Sequence, residues 1–266
     1  MVASRWRLLL HGAGTGAWNM AADEAILLHA DRSAMPPTLR LYSWSPPCVS
    51  VGRFQKVDGN VDTEACAALG FHLVRRPTGG RAILHHHEVT YGIVAPLGGA
   101  GILESYRELS TGLLRAVELL GASASYGSDA AAASGQGASC FAHAARCDLV
   151  ADGRKIIGSA QVRTQRHLLQ QGSIPLRVDL ELNAKVFGWR STLDAGAAGS
   201  LADVLGRVVS ADEVVEAVVR GFRESMGLQM EPGVLEAEEE QLAQELLERK
   251  YGTDAWTLRG EAPQHA

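Results

Sequence analysis

The stretch that decides the fold is residues 74–92, VRRPTGGRAILHHHEVTYG. Apolar residues flank Arg75-Arg76-Pro77-Thr78-Gly79-Gly80, and three histidines and a glutamate follow before apolar residues resume. With its neighbours it reads as two strands joined at Gly79-Gly80. Glycines let the backbone approach a ligand with no Cβ in the way. Their N–H groups then suit carbonyl or phosphate oxygens, and arginines beside them add fixed positive charge. A tight hairpin with two surface arginines also accounts for the pattern. The Gly-x4-Gly-Lys-Ser/Thr spacing of a nucleotide-phosphate loop is absent. On a strand, His85 and His87 share a face while His86 points away. Such a pair can hold a metal, but no third ligand follows at useful spacing. The expectation is a histidine hydrogen-bonded beside a pocket, with no metal.

Working outward, RWRLLLHG (residues 5–12), TLRLYSW (38–44) and CVSVGRF (48–54) read as strands, the last two separated by the breaker Ser45-Pro46-Pro47. WNMAADEAILLHADR reads as a helix with Asn19 as its cap and acidic residues in its first turns. Further helices are expected at 62–69, at 104–121 and at 210–227, the last with Ser210 and Glu213 at capping-box spacing. Asp152-Gly153 between apolar runs predicts a hairpin, because a type I′ turn needs positive φ at both central residues. HLLQQGSIPL is strand-like, and PGVLEAEEEQLAQELLERKY is a charged-faced helix. The sum is an α+β domain with a largely antiparallel mixed sheet and flanking helices, covering residues 1–252, with 253–266 as a tail.

Bulk properties narrow the function. A net charge of −5 favours neither nucleic acid nor an anionic membrane. No run approaches the roughly 18 apolar residues of a membrane span, and the N-terminal Leu8-Leu9-Leu10 is too short for a signal-peptide core. Four cysteines without a Cys-x-x-Cys pair are not a disulfide scaffold. A cytoplasmic, reduced monomer is the expectation.

Cys140 ends a run of small residues, GSDAAAASGQGAS (127–139), that reads as a flexible loop. A thiol there is accessible, and becomes a nucleophile if a cation or base favours its thiolate. Lys155, just past the Asp-Gly turn, is placed to do that; an unreactive loop cysteine is the alternative. Cys48, Cys66 and Cys147 read as packed.

Together, RRPTGGRAILHHHEVTYGIV, GRKIIGSAQVR and LLQQGSI, with WNMAADEA and VSVGRFQ upstream, resemble the biotin/lipoate protein ligase and octanoyltransferase superfamily over most of residues 5–226. Ser139-Cys140-Phe141, and Arg81 where ligases carry a third glycine, resemble the cysteine-dependent octanoyltransferases. That resemblance implies transfer of an octanoyl group from acyl carrier protein to a lysine of a lipoyl domain, such as glycine cleavage H protein, with no cofactor. It implies Cys140 as nucleophile and Lys155 as the group that orients the carbonyl or moves protons. Arg76, Thr78, Gly79, Gly80 and His85 would line the acyl pocket, and Gly158, Ser159 and Ala160 would face them. Arg5, Arg7, Arg163 and Arg166 are candidate docking charges for an acidic carrier protein. Gln171 departs from the family's usual histidine, and an amide cannot titrate. The alternatives are an ATP- and Mg²⁺-dependent lipoate–protein ligase, an amidotransferase between lipoyl domains, and an acyl sensor without catalysis.

Overall fold

The computed structural model describes residues 4–127, 148–187 and 198–263. The strands are β1 (Arg5–Gly14), β2 (Thr38–Trp44), β3 (Cys48–Val51), β4 (His72–Arg75), β5 (Ile83–His85), β6 (Glu88–Pro96), β7 (Ser125–Tyr126), β8 (Leu149–Ala151), β9 (Arg154–Arg163), β10 (His167–Pro175) and β11 (Gln229–Pro232). The helices are α1 (Gly16–Arg32), α2 (Thr63–Ala68), α3 (Ile102–Leu119), α4 (Leu180–Phe187), α5 (Leu201–Leu205), α6 (Ala211–Met226), α7 (Ala237–Leu246) and α8 (Asp254–Thr257).

Eight strands form one sheet in the order β11-β1-β2-β6-β10-β9-β8-β7. Its first two pairings are parallel and the rest antiparallel. The expected α+β class with a largely antiparallel mixed sheet is therefore observed. A second sheet has the order β4-β3-β5.

Strand periodicity explains the layers. Val89, Tyr91, Ile93 and Ala95 of β6 enter one core with Leu109, Leu113 and Val117 of α3 and Val214, Val218 and Phe222 of α6. Glu88, Thr90 and Gly92 alternate with them and so point to the opposite face, where α1 and the small sheet lie. Helix α1 is apolar over much of its circumference, with Met20, Ala21, Ala22, Ala25, Ile26 and Leu27 all buried. A helix of that kind belongs in an interior. It packs against β6 and β10 of the large sheet, β3 and β4 of the small one, and α7.

Several local expectations are corrected. The 71–96 stretch is not a hairpin at Gly79-Gly80: β4 pairs parallel with β3, and β5 pairs antiparallel with β3 on its other side. The turn therefore crosses over β3. The chain breaks again at His86-His87, where His87 takes φ of 53°, before β6 joins the large sheet. His85 and His87 thus do not share a strand face. Helix α1 is capped by Thr15 and has no acid in its first turn; Asn19 is buried and donates to the Gly14 and Ser43 carbonyls. The hairpin at Asp152-Gly153 is present, with φ of 49° and 74°.

Residues 253–263 are not a loose tail. Trp256 is wholly buried against Met20, Tyr42 and Val74, and its indole N–H donates to the Arg75 carbonyl at 2.8 Å. An aromatic ring of this kind buries roughly 150–250 Å², worth about 4–6 kcal/mol of apolar transfer before entropy. The Arg75 guanidinium in turn reaches the carbonyls of Gly52, Arg53 and Gln55 on one side and of Trp256 and Leu258 on the other. Arg75 is a clamp in the fold.

Candidate active site

A narrow cleft opens between the two sheets. Its floor is the inward face of the large sheet. The register places Ala160 opposite Gln171 and Gly158 opposite Ser173, so these four point the same way into the space. Its other wall comes from Ser50, Arg76, Gly80, Ile83 and His85, and Met20, Tyr42 and Trp44 add apolar surface. None of those last three was singled out from the sequence, where each reads as ordinary core.

Of the residues singled out in the sequence, Arg76, Gly80, His85, Gly158, Ser159 and Ala160 line the cleft. Thr78 and Gly79 stand behind the wall. The Thr78 hydroxyl donates to Gln171 Oε1 at 3.0 Å, and the Gly79 carbonyl accepts from Arg76 Nε and Nη2. Arg76 also donates to the Arg81 carbonyl and to Ser50. These bonds hold the turn in place. Gly80 sits at φ of 92°, which a side chain would strain. Gly52 is packed so closely on the Gly80 carbonyl that no Cβ fits there.

His85 is held from three sides. Its ring stacks on Trp44 with centroids 3.9 Å apart, Nε2 lies 2.7 Å from Ser50 Oγ, and Nδ1 lies 2.7 Å from Glu88 Oε1. Thr90 and Ser173 also donate to the Glu88 carboxylate. Burial alone would raise the Glu88 pKa, but the His85 charge and these three hydrogen bonds outweigh it and hold the carboxyl below its ordinary value. Ionised Glu88 therefore fixes the histidine's orientation from behind.

Lys155 is 2% exposed, with Nζ 2.8 Å from Asp148 Oδ2. Asp148 Oδ1 accepts from the Ser159 N–H at 3.2 Å. The lysine tip lies against the cleft-facing side of Gly158: a Cβ added there would stand 2.8 Å from its Cε and 3.1 Å from Nζ. Asp148 was missed from the sequence, although the hairpin register carries the signal. Pairing outward from Asp152-Gly153 brings Leu149 opposite Ile157 and so leads Asp148 toward Gly158. A bulge between Leu149 and Val150 shifts that count by one, which hides it from simple alternation.

Gln171 is part of a buried network. Its Nε2 donates to Asp23 Oδ2 at 2.7 Å, and Asp23 also accepts from Arg40 at 2.7 Å and from Tyr42 at 2.8 Å. An amide suits this position because it donates to the carboxylate and accepts from Thr78 at once.

Cys140 and Cys147 lie outside the described residues. The two described cysteines are not poised nucleophiles. Burial pushes the Cys48 thiol well up, and pushes the Cys66 thiol to about 11. Arg7 and Arg163 are not docking charges. Arg7 forms a buried bidentate pair with Glu239, and Arg163 is spent on the Ala100 and Gly101 carbonyls and Ser105. Arg5 pairs with Glu231. Among the described residues no three His, Cys, Asp or Glu side chains stand close enough to hold a metal, and no helix is long and apolar enough to cross a membrane.

A two-sheet cleft with a glycine turn on one wall and a buried lysine against the other defines the class: the chain belongs to the family of the lipoyl protein ligase A/B catalytic domain, whose family model matches residues 15–223. Within it, the chain is 42% identical to the octanoyltransferase LipM of Kyrpidia tusciae, over 96% of this chain and 98% of that protein. It is also 42% identical to the octanoyltransferase LipM of Symbiobacterium thermophilum, over 96% and 99%. Among solved structures, it superposes with TM-score 0.82 and 28% identity on a lipoate protein ligase of Thermoplasma acidophilum with bound lipoic acid, covering 96% of this chain and 99% of that one. A lipoate-protein ligase A bound with ATP gives 0.83 at 27% identity, covering 97% and 99%.

Proposed function

We propose that the protein is an octanoyltransferase of protein lipoylation. It moves an octanoyl group from acyl carrier protein, through a thioester on Cys140, to a lysine of a lipoyl domain such as glycine cleavage H protein. The observation that carries the reading is the buried Lys155–Asp148 pair set against Gly158 of an apolar cleft. It sets a fixed ammonium beside the space where an acyl carbonyl would lie. Likeness over nearly the whole chain to octanoyltransferases supports it.

In this mechanism the apolar wall takes the hydrocarbon chain. The Cys140 thiolate attacks the donor thioester carbonyl. The carbonyl–sulfur bond of the donor breaks, and the carrier leaves as a thiolate that takes up the proton Cys140 gave up on ionising. The neutral acceptor lysine amine then attacks the new thioester, its carbonyl–sulfur bond breaks, an amide forms, the amine's proton passes to solvent, and the Cys140 thiolate is released. Lys155 offsets negative charge on the carbonyl oxygen in both steps. Both bonds broken are thioesters, which are already activated, so no ATP or other cofactor is required. The carrier supplies its acyl group in the cytoplasm.

The test is intact-protein mass spectrometry with octanoyl-acyl carrier protein and no ATP, beside Cys140→Ala. The expected result is a hydroxylamine-labile octanoyl adduct on the wild type alone. Acylation of a lipoyl domain only with ATP and free acid would replace this reading with a ligase.

A further inference from the structure

We propose that the exposed hollow formed by Arg53, Phe54, Lys56 and Arg259 is the docking surface for the acyl donor, an acidic carrier protein whose thioester hangs on a phosphodiester-linked arm. This rests on the transferase reading above. Four observations carry it.

Phe54 is 86% exposed, an aromatic side chain held out into solvent. Phe and Arg are among the residue types enriched at protein–protein interfaces relative to the rest of the surface. Around Phe54 stand Arg53, Lys56 and Arg259, which line one hollow together with the Arg75 guanidinium. Asp58, Asp254 and Glu261, the last paired with Arg259 at 2.9 Å, offset part of this charge. This surface is locally basic on a chain of net charge −5, which fits an acidic partner and not general adhesion.

Position supplies the third argument. The Arg53 N–H donates to the Thr78 carbonyl at 2.9 Å, and Gly52 packs on Gly80. The hollow therefore lies across the glycine turn from the cleft, so a partner seated on it stands at the rim of the acyl site. The fourth is rigidity. The Arg53 guanidinium lies 4.8 Å from the Trp256 ring centroid, and Arg75 ties Gly52, Arg53 and Gln55 to Trp256 and Leu258. A surface ordered before binding loses less entropy on binding.

The donor is favoured over the lipoyl-domain acceptor because its arm brings a phosphodiester. A concentrated anion matches several cations gathered round one hollow, whereas an acceptor lysine brings a cation.

The experiment uses a fluorescent acyl carrier protein with the octanoyl group on a non-transferable amide arm. Its binding to the wild type is compared with Lys56→Glu/Arg259→Glu and with Phe54→Ala. Arg53 is left intact because it packs on Trp256. In parallel, acylation is measured with octanoyl-N-acetylcysteamine, a small thioester that needs no docking. The expected result is carrier binding weakened roughly 10- to 100-fold by the charge reversals, with rates from the small thioester unchanged. Salt should weaken wild-type binding and leave the charge-reversed variant little affected. Unchanged carrier binding, no carrier binding by the wild type, an equal loss with the small thioester, or a loss confined to an added lipoyl domain would each overturn the assignment. A wild type that binds the carrier but never accepts octanoyl would sink the transferase reading and leave the docking surface standing.

Discussion

Replacing Gly158 with alanine separates the position of Lys155 from its chemistry. The added Cβ would lie 2.8 Å from Lys155 Cε and 3.1 Å from Nζ, and ordinary contact begins at 3.4 Å. The lysine must therefore withdraw by about 0.6 Å. It has little room to do so, being 2% exposed and bound to Asp148. Misplacing a reacting group by ~1 Å costs on the order of 10²-fold, so the acylation rate should fall about 10- to 100-fold. Overpacking should cost about 1–3 kcal/mol of stability, too little to explain that loss in a folded sample. The assay is single-turnover formation of the octanoyl adduct from octanoyl-N-acetylcysteamine, with urea melts to confirm folding. Lys155→Ala is the reference, and the double variant should be no slower than Lys155→Ala alone because both changes act through one group. A wild-type rate for Gly158→Ala, or full additivity in the double variant, would remove Lys155 from the mechanism as drawn.

Asp148→Asn leaves the Lys155 ammonium buried without its carboxylate and should destabilise the fold by about 3–5 kcal/mol in chemical denaturation. Gln171→Glu sets a second carboxylate against Asp23 and should lower stability by several kcal/mol at neutral pH, with partial recovery on acidification as one of the two carboxyls takes up a proton; an unchanged melting temperature would count against the buried network. Trp256→Ala should cost about 3–5 kcal/mol as a core truncation, whereas a change under 0.5 kcal/mol would return residues 253–263 to the status of a tail. The folded pKa of Glu88 lies below its unfolded value, near 4.5, so between the two the unfolded chain binds more protons. The carboxyl's contribution is thus complete above about pH 4.5 and is lost as pH falls through the folded value. Urea melts between pH 3 and 7 should show Glu88→Gln less stable than wild type at neutral pH, with the gap narrowing in acid.

Much of the frame was legible because it depends on local rules. Asp152-Gly153 dictated a hairpin through its positive φ values, and Ser210 and Gly227 bracketed α6. The failures share one cause, which is that period-2 alternation reports a strand and not its partner. Residues 72–85 look like a hairpin because β4 and β5 are close in sequence, yet both pair with β3, and nothing within the segment encodes that. The site divides the same way. Gly80, His85 and Lys155 stood out by residue type and position, and Gly158 only through the family resemblance. Met20, Tyr42 and Trp44 are ordinary core residues until a second sheet arrives to make them a wall. Asp148 was concealed by a one-residue bulge, and Trp256 by the polar residues around it.

The Arg75 clamp has a consequence for how the protein is made. Its carbonyl partners at Trp256 and Leu258 lie 181 and 183 positions downstream. During synthesis the rim of the cleft is translated early but cannot be locked until residue 258 has left the ribosome. Until then a guanidinium built to be buried lacks two of its acceptors, and the Met20–Tyr42 surface that Trp256 covers is open. The site thus matures last although its residues are among the first to emerge, and an unfinished chain exposes the cleft's apolar back wall to whatever holds nascent polypeptides in the cell.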